Sequence, residues 1–159
     1  MDVKTLIIHP EKCNNCGDCE TARIKTHTSL TSLGLSCIRI LKDGGEEEFF
    51  FPIACKQCEN PPCLASCPKE AIYRDANLDR VLNDRQKCVG CGMCVSACPF
   101  GAMKLDKHKA KSYKCDLCNG DPECVKVCEP AAIVYKDVEM LKMPNMFNAA
   151  KKLSRLVKS

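Results

Sequence analysis

The chain has 159 residues, 16 of them cysteine, and a formal charge of +4 from 24 basic and 20 acidic side chains. Leu, Ile, Val and Phe together make up 22% of it and Trp is absent, so apolar burial alone is thin support for a fold of this length. No apolar run approaches a membrane span, and the segment Met1 to Pro10, with three consecutive aliphatics and no small-residue cleavage site, does not read as a secretory signal. The expected location is therefore the reducing cytoplasm. A disulfide scaffold is disfavoured there, and metal is the better use for the thiols.

In chain order, Val3 to Ile8 reads as a strand, followed by the first cysteine group, Cys13-x2-Cys16-x2-Cys19. Cys37 stands alone, after a loop with Gly34, at the head of a strand-like stretch reaching Leu41. Asp43-Gly44-Gly45 signals a turn, and Glu46-Glu47-Glu48 should be solvated. Phe49-Phe50-Phe51 reads as the returning strand, expected to be core beside the metal sites. The second group is Cys55-x2-Cys58-x4-Cys63-x3-Cys67-Pro68. Ala71-Ile72-Tyr73 and Arg80-Val81-Leu82 form a hairpin pattern. The third group is Cys88-x2-Cys91-x2-Cys94-x3-Cys98-Pro99. Met103 to Leu105 and Lys111 to Tyr113 suggest another hairpin, with Lys104, Lys107, Lys109, Lys111 and Lys114 read as a solvated face or a dock for an acidic electron donor. The fourth group is Cys115-x2-Cys118-x5-Cys124-x3-Cys128-Glu129-Pro130, leading into a strand near Ile133. Beyond Asp137 there is no cysteine. Residues 145–157 read as a helix with a basic end, packing on its own domain or docking a partner.

The third group is the bacterial ferredoxin run for iron–sulfur clusters without a mismatch, and the second and fourth are the same run with extra residues in the middle. Two-residue gaps wrap three thiolates around one cluster, with backbone N–H groups free to point at sulfur. Gly17, Gly90 and Gly92 allow close approach. The three-residue gap spans about one helical turn, and in two-cluster ferredoxins the fourth cysteine ligates the neighbouring cluster. The following Pro turns the chain away. Zinc is the competing metal, but its four-ligand sites are not commonly built from such runs. If 16 thiolates hold four oxidised clusters, each of about two negative charges, the loaded chain carries about −4. A nucleic-acid partner is thereby disfavoured, as it is by the lack of aromatic residues among the basic ones.

The fold expected is α+β and ferredoxin-like: two nested two-cluster modules with short antiparallel hairpins and short helices. The inner module spans 52–109, the outer combines 1–51 with 110–139, and 140–159 is a C-terminal helical tail.

These motifs resemble the four-cluster ferredoxin-like electron-transfer subunits found with dimethyl sulfoxide reductase, formate dehydrogenase and carbon monoxide dehydrogenase. They also resemble those of tungsten enzymes of the aldehyde oxidoreductase type. The stretch Phe51-Pro52-Ile53-Ala54-Cys55-Lys56-Gln57-Cys58-Glu59-Asn60-Pro61-Pro62-Cys63 is similar to that family's second motif. The resemblance implies four [4Fe-4S] clusters with crossed ligands. One is held by Cys55, Cys58, Cys63 and Cys98. Its neighbour is held by Cys88, Cys91, Cys94 and Cys67. An outer one is held by Cys13, Cys16, Cys19 and Cys128. The last has Cys115, Cys118 and Cys124, and the family takes its fourth ligand four residues after Cys19. That residue here is Arg23, with no Cys-Pro after it, so this fourth cluster is the insecure one. Cys37 returns the ligand total to sixteen. The alternatives are an ordinary buried thiol at Cys37, with a three-iron cluster, a non-cysteine ligand such as His27, or no cluster at all. The short chain favours the tungsten-associated members.

The function expected is a relay of single electrons between a larger catalytic oxidoreductase subunit and a second redox subunit or carrier. Self-association into an electron-conducting chain is a further partnership. Independent catalysis has no support: there is no phosphate-cradling loop, and His9, His27 and His108 stand apart from any nucleophile pair. The alternative is an iron- or redox-sensing regulator acting by cluster loss.

Overall fold

The computed structural model describes residues 4–27, 36–43, 49–77 and 79–137. The elements follow in order: β1 (Lys4–Ile8), α1 (Asp18–Thr26), β2 (Arg39–Asp43), β3 (Phe49–Ile53), α2 (Pro62–Ala65), β4 (Ile72–Asp75), β5 (Arg80–Asn83), α3 (Met93–Ala97), β6 (Lys104–Asp106), β7 (Lys111–Tyr113), α4 (Glu123–Lys126) and β8 (Ile133–Asp137). A short 3-10 turn occupies Pro10–Lys12, and Leu117–Gly120 is an irregular turn in which Leu117, Cys118 and Asn119 have φ of +58°, +47° and +57°. The expected helix at 145–157, the Glu46-Glu47-Glu48 turn and the Gly34 loop lie outside the described residues.

The strands form four separate antiparallel pairs, β1 with β8, β2 with β3, β4 with β5 and β6 with β7. Three are hairpins. The fourth joins the two ends of the described chain, with Leu6 opposite Tyr135 and Ile8 opposite Ile133. Leu6 and Ile133 are buried there, which fixes the register because a one-residue slip would turn them outward. The helices pair in the same order, α1 against α4 and α2 against α3. Helices of four or five residues do not hold themselves in water. α2 is started by Pro61 and Pro62 and α4 by Pro122, whose fixed φ suits a helix entry. Gly17 and Gly92 precede α1 and α3 at φ of +80°, a backbone angle costly for any other residue. Gly90 is different: a Cβ there would sit 2.2 Å from the Ala110 carbonyl oxygen, so its lack of a side chain admits the β6–β7 turn.

Two cores result, and cysteine is a principal part of both. One gathers Leu6, Ile38, Leu117 and Ile133 with Cys19, Cys37, Cys115 and Cys124. The other gathers Ile72, Val81 and Met103 with Cys63 and Cys94. The aromatic triplet departs from expectation: Phe49 is exposed and Phe50 and Phe51 are half-buried, while Pro52 is the buried residue of β3. A two-stranded hairpin leaves one face uncovered, and the Phe49 and Phe51 rings meet there at a tilt of 41°, their centroids 5.9 Å apart.

Candidate metal centres

Cys55, Cys58, Cys63 and Cys98 line a single cavity, three from one run and the fourth from the next. A second cavity is lined by Cys67, Cys88, Cys91 and Cys94, the reciprocal exchange. The three-residue gaps do this. α2, α3 and α4 carry Cys63, Cys94 and Cys124, and one turn further on Cys67, Cys98 and Cys128 leave the helix towards the neighbouring group. Burial first, then the charges of Cys55 and Cys98, raises the Cys58 thiol. Cys63 is pushed up to about 11 by burial, against the opposing charge of Lys114. Cys94 is raised by burial and by Cys88, Cys67 and Cys91, against a hydrogen bond from Ser112. Thiols so placed favour sharing a cation over being charged alone.

Cys16, Cys19 and Cys128 form a third neighbourhood. The Asp18 backbone N–H steadies the Cys16 thiolate, but burial, the Asp18 carboxylate and Cys128 together raise the group. Cys19 is pushed up to about 12, by burial first and then by Glu20 and Cys128.

The fourth neighbourhood is the irregular one. A cavity of about 240 Å3 is lined by Cys37 and Cys115 with Arg23, His27, Lys114 and Asp116. Cys37 is 4% exposed and is pushed up to about 11 by burial, against the charge of Arg23. Cys115 is raised by burial and by Cys55 and Cys37. Cys124 is pushed up to about 12 by burial, Cys118 and Cys19. His27 is not isolated. Its Nε2 is 3.6 Å from Cys118 Sγ and its Nδ1 is 3.8 Å from an Asp116 carboxylate oxygen. The ligand atoms of His27, Asp116 and Cys118 all lie within 4.8 Å of one another, a spacing suited to a metal.

Backbone donors reach sulfur at several of these sites. Ala71 N–H donates to Cys67 Sγ at 3.3 Å, and Ala102 N–H to Cys98 Sγ at 3.4 Å, each four residues beyond its cysteine. Leu117 N–H donates to Cys115 Sγ at 3.4 Å. Ser112 N–H donates to Cys88 Sγ at 3.3 Å and its hydroxyl lies 3.2 Å away. Burial would raise Cys88, but those Ser112 bonds, the Gly90 N–H and Lys111 bring it below the usual thiol value. Such bonds stabilise sulfur carrying charge.

Contrary to what its sequence suggests, the lysine-rich hairpin is not solvated throughout. Lys114 is only 6% exposed, not solvated. Its ammonium donates to the carbonyls of Val81 and Cys115 and, at 3.4 Å, to Gln57 Oε1. Lys111 is half-buried and donates to the Cys88 carbonyl. Gln57 completes the link: its amide donates to the Cys115 carbonyl at 3.0 Å and its oxygen accepts from Val81 N–H at 2.8 Å. Gln57 lies inside the motif-like stretch Phe51 to Cys63 without being singled out there, and nothing in the cysteine spacing points to Ser112.

The thiol sets, sulfur-directed donors and buried cations fit a negatively charged, sulfur-ligated group. Soft thiolates of this number and spacing suit iron–sulfur clusters. Short antiparallel pairs around clustered thiols define the chain as a small ferredoxin-like protein. The pattern of the family described as "4Fe-4S dicluster domain" matches residues 46–138, and the chain belongs to that family. An uncharacterized ferredoxin of Methanocaldococcus jannaschii is 38% identical over 143 residues, covering 89% of this chain and 77% of its own length. The polyferredoxin-like subunit of an aliphatic sulfonate oxidoreductase from Pyrococcus furiosus is 34% identical, covering 79% of this chain and 72% of its own. The beta subunit of an NADH-dependent phenylglyoxylate dehydrogenase from Aromatoleum evansii is also 34% identical, but the match takes in 82% of this chain and only 30% of that subunit. No helix among the described residues is long and apolar enough to cross a membrane.

Proposed function

We propose that this chain, an iron–sulfur electron-transfer subunit of the oxidoreductase type, holds four [4Fe-4S] clusters in a single file. The observation that carries this is the pair of cavities at which each cysteine run lends its last member to the other. When bound, such clusters take up and pass on one electron each. The chain's residues order them. Cys13, Cys16, Cys19 and Cys128 hold the first. Cys124, which feels the charge of Cys19, belongs with Cys115, Cys118 and Cys37 to the second. Cys115, which feels Cys55, leads to the third, held by Cys55, Cys58, Cys63 and Cys98. Cys63 shares a core with Cys94, one of the ligands of the fourth with Cys67, Cys88 and Cys91. Cys16 and Cys91 are exposed and sit at the two ends of this order, where electrons would enter and leave. The nesting of an inner pair, 52–109, within an outer one is supported by the joining of β1 to β8 and of α1 to α4.

Cys37 as the sixteenth ligand is supported by its burial in the cavity it shares with Cys115. The contact of His27 with Cys118 favours a second reading, a mixed-ligand cluster. The partner is a larger oxidoreductase subunit, of the tungsten or molybdenum class that the sequence resemblance indicates, working with a second carrier in the cytoplasm. Exposed clusters at both ends would also allow copies to join into a conducting chain. The match to a ferredoxin and to a polyferredoxin-like oxidoreductase subunit favours relay over a regulatory sensor. Anaerobic purification of the native complex, with metal analysis and an assay of the isolated chain, tests this. The expected result is a co-purifying oxidoreductase containing W or Mo, and electron delivery only when that partner turns over. Substrate oxidation by the isolated chain would overturn it.

A further inference from the structure

α1 carries Arg23 one turn beyond Cys19, the spacing at which Cys67, Cys98 and Cys128 follow Cys63, Cys94 and Cys124. Arg23 is 4% exposed. A single nitrogen, Nη2, makes the partnerships seen: 3.5 Å to Cys37 Sγ and 3.3 Å to Asp116 Oδ1. Nε and Nη1 are buried with no hydrogen-bond partner among the described residues. A guanidinium with donors stranded in the interior is costly, and native proteins seldom leave such groups without a water, an ion or another group to complete them. Arg23 lines the same cavity as Cys37 and Cys115, and Cys124 lies within reach of its charge. The other half of the pair, Asp116, already shares its carboxylate with His27 and the Cys118 N–H, so it offers Arg23 only partial neutralisation.

We propose that Arg23 replaces a ligand with a cation: its Nε–H and Nη1–H donate to sulfur of the cluster held by Cys37, Cys115, Cys118 and Cys124. This rests on the four-cluster reading above. A fixed positive charge with two bonds to cluster sulfur favours the reduced, more negative state. Arg23 thus makes the second position in the file an easier electron acceptor, while Cys37 supplies the thiolate that the helix position no longer does. Arginine suits this task because it cannot give up its proton and presents its donors in a planar fork.

The test is a redox titration monitored by electron paramagnetic resonance on the full-length loaded protein, wild type beside Arg23→Gln and Arg23→Lys, with iron counted in each. Full iron is expected in all three. Arg23→Gln should lower one potential alone by at least tenfold in its one-electron equilibrium, 59 mV, and Arg23→Lys should recover more than half of that shift. Wild-type protein with iron for only three clusters defeats the four-cluster reading and the inference with it. Full iron and four unchanged potentials in Arg23→Gln defeat the inference alone. If Arg23→Gln loses iron, Arg23→Lys decides: retained iron supports the charge, and loss in both variants shows a packing role and overturns it.

Discussion

Replacing Lys114 with Met should shift the two central clusters and spare the outer ones. The ammonium lines the cavity of Cys55, Cys58, Cys63 and Cys98 and also that of Cys37 and Cys115. Its charge opposes the burial that raises Cys63, Cys37 and Cys115. A unit charge about 8 Å from one electron's worth of charge, at an effective dielectric of about 20, is worth about 2 kcal/mol. That corresponds to about 90 mV for a one-electron couple. Met keeps the length and apolar stem but gives up the hydrogen bonds to Val81, Cys115 and Gln57, whose acceptors then stay buried. The assay is the potential of each cluster in the loaded variant, with iron counted to exclude cluster loss, and Lys114→Arg as the charge-keeping control. Two potentials lowered by tens of millivolts, with Arg restoring them, is the expected outcome. Full iron with all potentials within about 10 mV of wild type, a small fraction of the Coulomb figure, would refute the placement of this charge.

Cys37→Ser should cost up to one cluster of iron or move one potential, leaving the pair at Cys55 to Cys98 intact. Unchanged iron and spectra there, with iron lost instead in His27→Gln, would assign the ligand to His27. Chelation under oxidant should abolish cooperative unfolding, because cysteine makes up so much of both cores; native hydrogen-exchange protection in the cluster-free chain would contradict this. Burial raises Cys19 and Cys124 to about 12 and Cys37 and Cys63 to about 11. Each ligand must lose its proton on cluster assembly, so thiols raised in this way oppose assembly at neutral pH and oppose it less as pH climbs towards their pKa values. Reconstitution yield should therefore rise from pH 7 to pH 9, and a yield that falls over that interval would count against buried thiol ligands.

The cysteine groups and most strands were legible because spacing and turn residues are local signals. The hairpins β2–β3, β4–β5 and β6–β7 fall on the short apolar runs that mark their strands. α1 was not legible, because the residues it buries are Cys19 and Arg23, and a buried charge breaks the apolar stripe by which helices are recognised. Lys114 was misread for a related reason. Ser112, Tyr113, Lys114 and Cys115 are all buried in succession, so polar groups lie in the interior with no alternation to mark them. Phe49 failed the other way, since an isolated two-stranded pair has no second layer to cover it. His27 looked solitary because Asp116 and Cys118, its neighbours, are some ninety residues away in sequence. Inward polar groups are ordinary beside a charged prosthetic group and anomalous elsewhere, and an apolar pattern alone does not reveal them.

An iron–sulfur electron relay takes up electrons at its clusters, and a reductive titration of the anaerobically purified, loaded protein with dithionite, alongside iron and sulfide analysis, measures that uptake. The expected result is about 16 iron and about 16 sulfide per chain, four of each per cluster, and uptake of about four electrons with coupled paramagnetic signals from neighbouring clusters. Zinc in place of iron, or iron that takes up no electrons, would contradict it.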